Sequence, residues 1–135
     1  NVASELDRIT DAWRMMKNYG GRIHERSHGE GFLSVILNRL SGNGLYIFDE
    51  PESALSINSL YTLMVKMHEL EKKDSQFIIA THSPILLAYP GAAIYTITDN
   101  GFEPTKYEES MPYLLTKQFI LNRERILDEL LGEEE

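Results

Sequence analysis

The sequence predicts an α/β fold in which parallel strands are joined and flanked by helices. Two short apolar runs, residues 45–48 and 76–81, have the composition of strands that are buried on both faces. Between them, residues 57–72 carry apolar side chains at helical spacing. A strand–helix–strand segment of this length is typical of a βαβ unit with parallel strands and a right-handed crossover.

The composition is that of a globular domain. The 135 residues are 42% hydrophobic and 25% charged, with a net charge of −8. The acidic balance argues against a surface devoted to nucleic-acid backbone. The absence of cysteine excludes disulfides, thiolate metal sites and a cysteine nucleophile. No apolar run reaches the roughly 18 residues that a bilayer requires, so we expect a cytoplasmic protein without a membrane partner.

We expect a single domain over residues 1–135 with three parts. Residues 1–21 are predicted to form a helix, because its apolar residues recur every three or four positions. Residues 22–109 contain the strand–helix–strand unit and end in a β-hairpin with its turn at Asp99-Asn100-Gly101. Residues 110–135 are predicted to form a C-terminal helix, running to about Leu131, and an acidic tail. The inward positions predicted for that helix are Leu115, Phe119, Ile126 and Leu130.

Polar side chains follow both predicted strands. Asp49 and Glu50 come directly after the first strand, and His82 comes after the second; Pro51 and Pro84 stop the strands. Because ligands bind at the carboxyl edge of open parallel sheets, we expect the three polar side chains to converge there. One carboxylate can hold a metal ion through water while the other orients or deprotonates an attacking water. The alternative is a structural acidic turn.

A second candidate site lies at the start of a predicted helix. Ser27, His28, Gly29 and Glu30 precede an apolar stripe at helical spacing, so this group is predicted to lie at a helix N-terminus. The free N–H groups and the positive end of the helix dipole favour phosphate at such a position. The alternative is structural: Ser27 is an N-cap and Gly29 loosens the turn.

Segments 27–30, 45–51 and 80–83 together resemble the C-terminal half of an ABC-class P-loop ATPase domain. Asp49 follows Gly29 by 20 positions, and His82 follows Asp49 by 33. The order and spacing are most similar to the stand-alone, non-transporter branch of predicted ATPases related to SMC and RecF-like proteins. The resemblance covers about residues 22–107 and implies a partial P-loop NTPase-like fold.

The resemblance implies roles for residues on both sides of a dimer. Asp49 matches the Walker B aspartate, which holds Mg²⁺ through water. Glu50 matches the catalytic glutamate that polarises the attacking water, and His82 matches the switch histidine at the γ-phosphate. The signature motif, which contacts ATP held by the partner subunit, corresponds to Ser27, His28, Gly29 and Glu30. The D-loop at the dimer seam corresponds to Ser53, Ala54, Leu55 and Ser56.

The sequence departs from the family pattern at several points. Arg26 and His28 stand where leucine and glycine are more frequent, and Ser56 stands where transporters usually have aspartate. No G-x-x-x-x-G-K-[ST] segment, which would cradle the nucleotide phosphates, occurs in the sequence. We therefore expect this chain alone to bind ATP poorly or not at all. The P-loop half is expected upstream of Asn1 or in another polypeptide, with residues 1–21 ending a helical subdomain.

These expectations define one main functional hypothesis and two alternatives. The main hypothesis is ATP hydrolysis at a head-to-tail dimer, with ATP and Mg²⁺ bound and the second subunit or the P-loop half as partner. A nuclease or DNA is a further expected partner of the full-length protein. The first alternative is a non-catalytic dimerisation or interaction module that keeps a degenerate ATPase fold. The second is a metal-dependent phosphodiesterase or nuclease using Asp49, Glu50 and His82, which requires additional carboxylates.

Overall fold

The computed structural model describes residues 26–132 of the chain. Its backbone contacts divide the chain into a first unit, Asn1–Thr81, and a second unit, His82–Glu135. The predicted helix over residues 1–21 and the predicted tail over residues 133–135 lie outside the described part. Assignment of residues 1–135 to one domain stays a prediction.

The first unit contains a helix followed by a parallel strand–helix–strand segment. Its elements are α1 (Arg26–Arg39), β1 (Leu45–Asp49), a 3₁₀ helix (Pro51–Ala54), α2 (Ile57–Glu71) and β2 (Gln76–Ala80). The two strands pair in parallel, with Leu45 opposite Gln76 and Asp49 opposite Ala80. The predicted parallel strands joined by a helix are confirmed. None of the helices in residues 26–132 is long and apolar enough to cross a membrane.

Helix α2 supplies much of the core of the first unit. Ser56 is its N-cap, and the Ser56 Oγ accepts a hydrogen bond from the Ser59 N–H at 3.2 Å. The buried side chains of α2 recur every three or four residues, which places them on one face: Leu60, Leu63, Met67 and Leu70. Leu63 is completely buried, with 0% of its surface exposed. The helix contacts both α1 and β2, so this face fixes the crossover against the sheet.

The prediction that β1 is buried on both faces is wrong. Tyr46 and Phe48 are buried, but the side chains between them alternate to an open face, where Leu45 and Ile47 are 42% and 45% exposed. Ile78, opposite Ile47 on β2, is 50% exposed. In the part of the chain that the structure describes, the sheet containing β1 has only two strands. A continuous apolar run therefore shows that both faces of a strand could be buried. In β1, the described residues cover only one of the two faces.

Hydrogen bonds that are buried or partly buried fix the loop that leads into β1. The Tyr46 hydroxyl accepts from the Ser41 N–H and donates to the Ser41 carbonyl, both at 2.7 Å. The Ser75 Oγ donates to the same carbonyl at 2.9 Å and accepts from the Gly44 N–H at 3.2 Å. A Cβ at Gly44 would lie 2.6 Å from the Tyr46 ring, so only glycine fits there. These contacts set the position at which β1 starts.

Tyr46→Phe tests this network. Phenylalanine keeps the ring that stacks on Phe77 with 5.3 Å between centroids, and it removes only the hydroxyl. Because the Ser41 N–H loses this partner and the Ser41 carbonyl loses one of two donors, we expect the free energy of unfolding to fall by about 0.5–1.5 kcal/mol. Urea denaturation followed by circular dichroism measures the change. Tyr95→Phe, at a 57% exposed tyrosine, is the control. Equal loss in both variants would contradict the role of the network.

The second unit contains a short helix, a β-hairpin and two C-terminal helices. Its elements are α3 (Pro84–Leu87), β3 (Tyr95–Thr98), β4 (Gly101–Pro104), a 3₁₀ helix (Tyr107–Glu109), α4 (Met111–Leu121) and α5 (Arg123–Leu131). The hairpin strands are antiparallel, with Thr98 opposite Gly101. Gly101 has a φ of 95°, which favours glycine after the Asp99-Asn100 turn. The predicted terminal hairpin is confirmed.

The predicted single C-terminal helix is wrong in two respects. The helix breaks at Asn122, whose φ of −130° and ψ of 34° are not helical. The Asn122 Nδ2 donates to the Gln118 carbonyl at 3.1 Å, and the Asn122 N–H donates to the same carbonyl at 3.0 Å. Three of the four predicted inward positions are also exposed: Leu115 at 58%, Phe119 at 41% and Leu130 at 71%. The described residues provide no surface that buries this apolar face.

Candidate active site

The two predicted catalytic carboxylates lie at the carboxyl edge of the parallel pair. Asp49 is the last residue of β1 and stands opposite Ala80, the last residue of β2. Glu50 follows directly, and both residues are exposed. The pairing of β1 with β2 thus places two acidic side chains at the edge where open parallel sheets bind ligands.

Glu50 has a left-handed backbone conformation, with φ of 47° and ψ of 55°. Residues other than glycine, asparagine and aspartate rarely adopt it, and holding a residue there costs about 1–3 kcal/mol. A residue before proline ordinarily takes an extended conformation, so the sequence around Pro51 gives no signal of this geometry. Strained residues of this kind cluster at functional sites because the surrounding structure must hold them in place.

Hydrogen bonds hold the backbone of Glu50 on both sides. Its N–H donates to the Ala80 carbonyl at 2.7 Å, which extends the β1–β2 pairing by one bond. Its carbonyl accepts from the Ser53 N–H at 3.1 Å and from the Ser53 Oγ at 2.8 Å. Pro51, the next residue, is fully buried. The peptide groups before and after Glu50 are therefore fixed, and with them the direction in which its side chain leaves the sheet edge.

The predicted D-loop residues also have structural roles within the first unit. Ser53 and Ala54 end the 3₁₀ helix, and Leu55 is buried at 8% exposure. Ser56 is extended and caps α2. Residues 53–56 thus lie in the segment that connects Asp49 and Glu50 to α2. Their predicted place at a dimer seam stays a prediction.

The predicted signature motif lies inside a helix. Helix α1 includes Ser27, His28, Gly29 and Glu30, since it is described from Arg26 onward. The structural alternative in which Ser27 is the N-cap is therefore wrong, because Ser27 already belongs to the helix. The predicted contact of these four residues with a partner's nucleotide stays a prediction.

His82 opens the second unit, two residues after β2 ends. The residues that follow it are firmly held: the Ser83 Oγ accepts from the Ile85 and Leu86 N–H groups at 3.2 and 3.3 Å, which caps α3. The Tyr107 hydroxyl donates to the Pro84 carbonyl at 2.8 Å. Desolvation raises the pKa of Tyr107, with the charges of Tyr113 and Glu108 adding to the shift, so the phenol stays a proton donor. Convergence of His82 with Asp49 and Glu50 stays a prediction, because they belong to different units.

The carboxylates fit a magnesium ion that is bound mainly by water and phosphate. Within residues 26–132, no group of three or more histidine, cysteine, aspartate or glutamate side chains is placed to hold a metal. Mg²⁺ typically keeps several waters and binds one or two carboxylates together with substrate phosphates. Asp49 supplies such a carboxylate at an exposed position. The described residues do not supply the larger carboxylate cluster that the phosphodiesterase alternative requires.

The middle of the chain matches a known protein family. Residues 31–88 match the family model described as "AAA domain, putative AbiEii toxin, Type IV TA system". The matched stretch contains Asp49, Glu50 and His82 and ends before the hairpin, and it leaves out residues 27–30. This match supports the expected similarity of the chain to P-loop ATPases.

An uncharacterized ABC transporter ATP-binding protein of Haemophilus influenzae is 30% identical to the chain over 110 residues. The aligned region covers 80% of this chain and 40% of the relative, so the chain spans about 40% of the length of the curated protein it matches. No solved structure matches the chain significantly. The expected link to ATP binding is thus supported at the level of the P-loop ATPases, and the more specific branch related to SMC and RecF-like proteins stays a prediction.

Proposed function

We propose that this chain is the C-terminal half of an ABC-type ATPase domain, and that the full-length protein binds and hydrolyses ATP. The observation that carries the proposal is the placement of Asp49 and Glu50 directly after β1, at the carboxyl edge of a parallel pair. The family match over residues 31–88 and the similarity to an ATP-binding protein support it. Because the chain spans only part of that relative, the activity is proposed for the whole protein.

The proposed roles follow from what phosphoryl transfer requires. The reaction needs an attacking water in line with the γ-phosphate and neutralisation of the developing charge, which Mg²⁺ supplies when it is bound with ATP. Asp49 holds that ion through water. The Glu50 carboxylate accepts a hydrogen bond from the attacking water and removes its proton. His82 donates a hydrogen bond to the γ-phosphate and orients it.

The proposed site is completed by a second subunit arranged head to tail. Ser27 and Gly29 of one subunit, with His28 and Glu30 beside them, contact the γ-phosphate of ATP held by the other. The resemblance of residues 27–30 to the signature motif supports this role. Residues 53–56 lie at the seam. Because the nucleotide then binds two subunits at once, ATP favours the dimer over the monomer.

The direct test is phosphate release from ATP by the longest native polypeptide that contains this chain, measured with and without Mg²⁺. Magnesium-dependent turnover supports the proposal. A protein that neither binds nor hydrolyses ATP would overturn it. The non-catalytic interaction module would then be the better explanation of the fold.

Ser27→Arg tests the contact in trans. The large cation should block the approach of a second subunit's nucleotide, and we expect ATP-dependent dimerisation to weaken at least about tenfold, a change of roughly 1.4 kcal/mol. Analytical ultracentrifugation with ATP, in a Glu50→Gln background that keeps ATP intact, measures it. Ser34→Arg is the matched control, because Ser34 is exposed on the same helix. Unaltered dimerisation of the Ser27 variant would contradict the role in trans.

A further inference from the structure

We infer that Ser53 is a positioning residue for Glu50 within its own subunit, an inference that rests on the proposed ATPase function. The predicted role of Ser53 is contact at the dimer seam. The structure shows that Ser53 forms two hydrogen bonds within its own subunit. The Ser53 Oγ and N–H both donate to the Glu50 carbonyl, at 2.8 and 3.1 Å. The pair of bonds joins the carboxylate-bearing residue to the 3₁₀ helix that follows it.

Ser53 acts on the peptide group that follows Glu50. The Glu50 N–H is already fixed to β2 through the Ala80 carbonyl at 2.7 Å. Rotation about φ and ψ remains, and both rotations move the Glu50 carbonyl, while rotation about φ also moves the side chain. Two donors from Ser53 hold that carbonyl, with φ at 47° and ψ at 55°. The left-handed conformation is thereby maintained in a residue type that seldom adopts it.

The orientation of the Glu50 side chain follows from this backbone. Relaxation to an extended conformation, the ordinary state before proline, would turn the Cα–Cβ bond away from its present direction. A misplacement of about 1 Å can cost up to about a hundredfold in rate. The Ser53 hydroxyl therefore contributes to catalysis without contacting water or nucleotide, by keeping the carboxylate where the attacking water lies.

The test uses the longest native polypeptide with Ser53→Ala and Ser53→Thr. Alanine removes the hydroxyl donor, and we expect kcat for ATP hydrolysis to fall about tenfold with the KM for ATP changed by less than about twofold. Threonine keeps the hydroxyl, so Ser53→Thr should have a kcat close to that of the parent protein. The loss should persist at saturating protein concentration, whereas a role at the seam would raise the protein concentration needed for half-maximal activity. A loss of activity in Ser53→Ala that is seen at low protein concentration and disappears at saturating protein concentration would overturn the inference.

A double variant separates this inference from the proposed function. If Ser53 acts through Glu50, adding Ser53→Ala to Glu50→Gln should lower kcat no further. Thr62→Ala is the matched control, because the Thr62 hydroxyl also donates to a backbone carbonyl, that of Asn58 at 3.2 Å, on the exposed side of α2. If Glu50→Gln lowers kcat and Ser53→Ala does not, only the positioning role fails. If neither changes a measurable kcat, or no ATP is hydrolysed, the proposed function and the inference fail together.

Discussion

Replacement of Glu50 by glutamine is expected to lower kcat for ATP hydrolysis about 100-fold or more while ATP binding is retained, since general-base catalysis contributes about 10²–10⁴-fold. Glutamine preserves the size of the side chain and removes the proton acceptor. The backbone bonds of Glu50 to Ala80 and Ser53 do not involve the carboxylate, so the local fold should persist. Phosphate release under single-turnover conditions, together with fluorescence titration of a nucleotide analogue, measures the two properties separately.

The control for this prediction is Glu69→Gln. Glu69 is exposed on α2 and lies 3.9 Å from the Lys66 ammonium, a surface pair of small energetic value. Its replacement makes the same chemical change in the same unit. Full activity in the Glu50 variant would show that the residue is not the catalytic base. Loss of nucleotide binding together with activity would point instead to a role in holding the metal or the phosphates.

Leu63→Ala is expected to have the largest effect on stability, lowering the free energy of unfolding by about 3 kcal/mol, within the range of roughly 2–5 kcal/mol seen for buried leucines. Leu63 is 0% exposed at the centre of the buried face of α2. Its truncation removes apolar contacts and leaves a cavity between the helix and its neighbours. Chemical denaturation of the native polypeptide, followed by circular dichroism, measures the loss.

Val65→Ala provides the comparison for this core substitution. Val65 lies two residues further along α2 and is 61% exposed. Because a surface truncation away from structural features usually changes stability by less than about 0.5 kcal/mol, this variant should unfold near the parent midpoint. Similar losses in both variants would show that α2 does not pack with Leu63 inward.

The strand–helix–strand order was predictable because its signals are local. The apolar spacing in residues 57–72 and the two apolar runs specify their own elements, and the pairing of β1 with β2 follows from their connection. The position of Asp49 and Glu50 at the end of β1 was predictable for the same reason, since both directly follow an apolar run. These features need no knowledge of distant parts of the chain.

Other features depend on contacts that no local pattern reports. The exposed face of β1 was missed because burial depends on neighbouring elements. The break at Asn122 was missed because no proline or glycine stands at that position in the sequence. The left-handed Glu50 was missed because proline predicts the opposite. A serine three positions after the glutamate was the only signal in the sequence, and serine at that spacing is common in turns that have no catalytic role.

The open face of the β1–β2 sheet has a consequence for how the protein is made in the cell. Leu45, Ile47 and Ile78 form an apolar patch on a sheet of two strands, so in the described residues each strand has one edge without a strand partner. Exposed apolar surface beside open strand edges is what drives misassembly of folding intermediates and attracts chaperones. We expect a chain in which this face stays uncovered to aggregate more readily than one in which other polypeptide covers it.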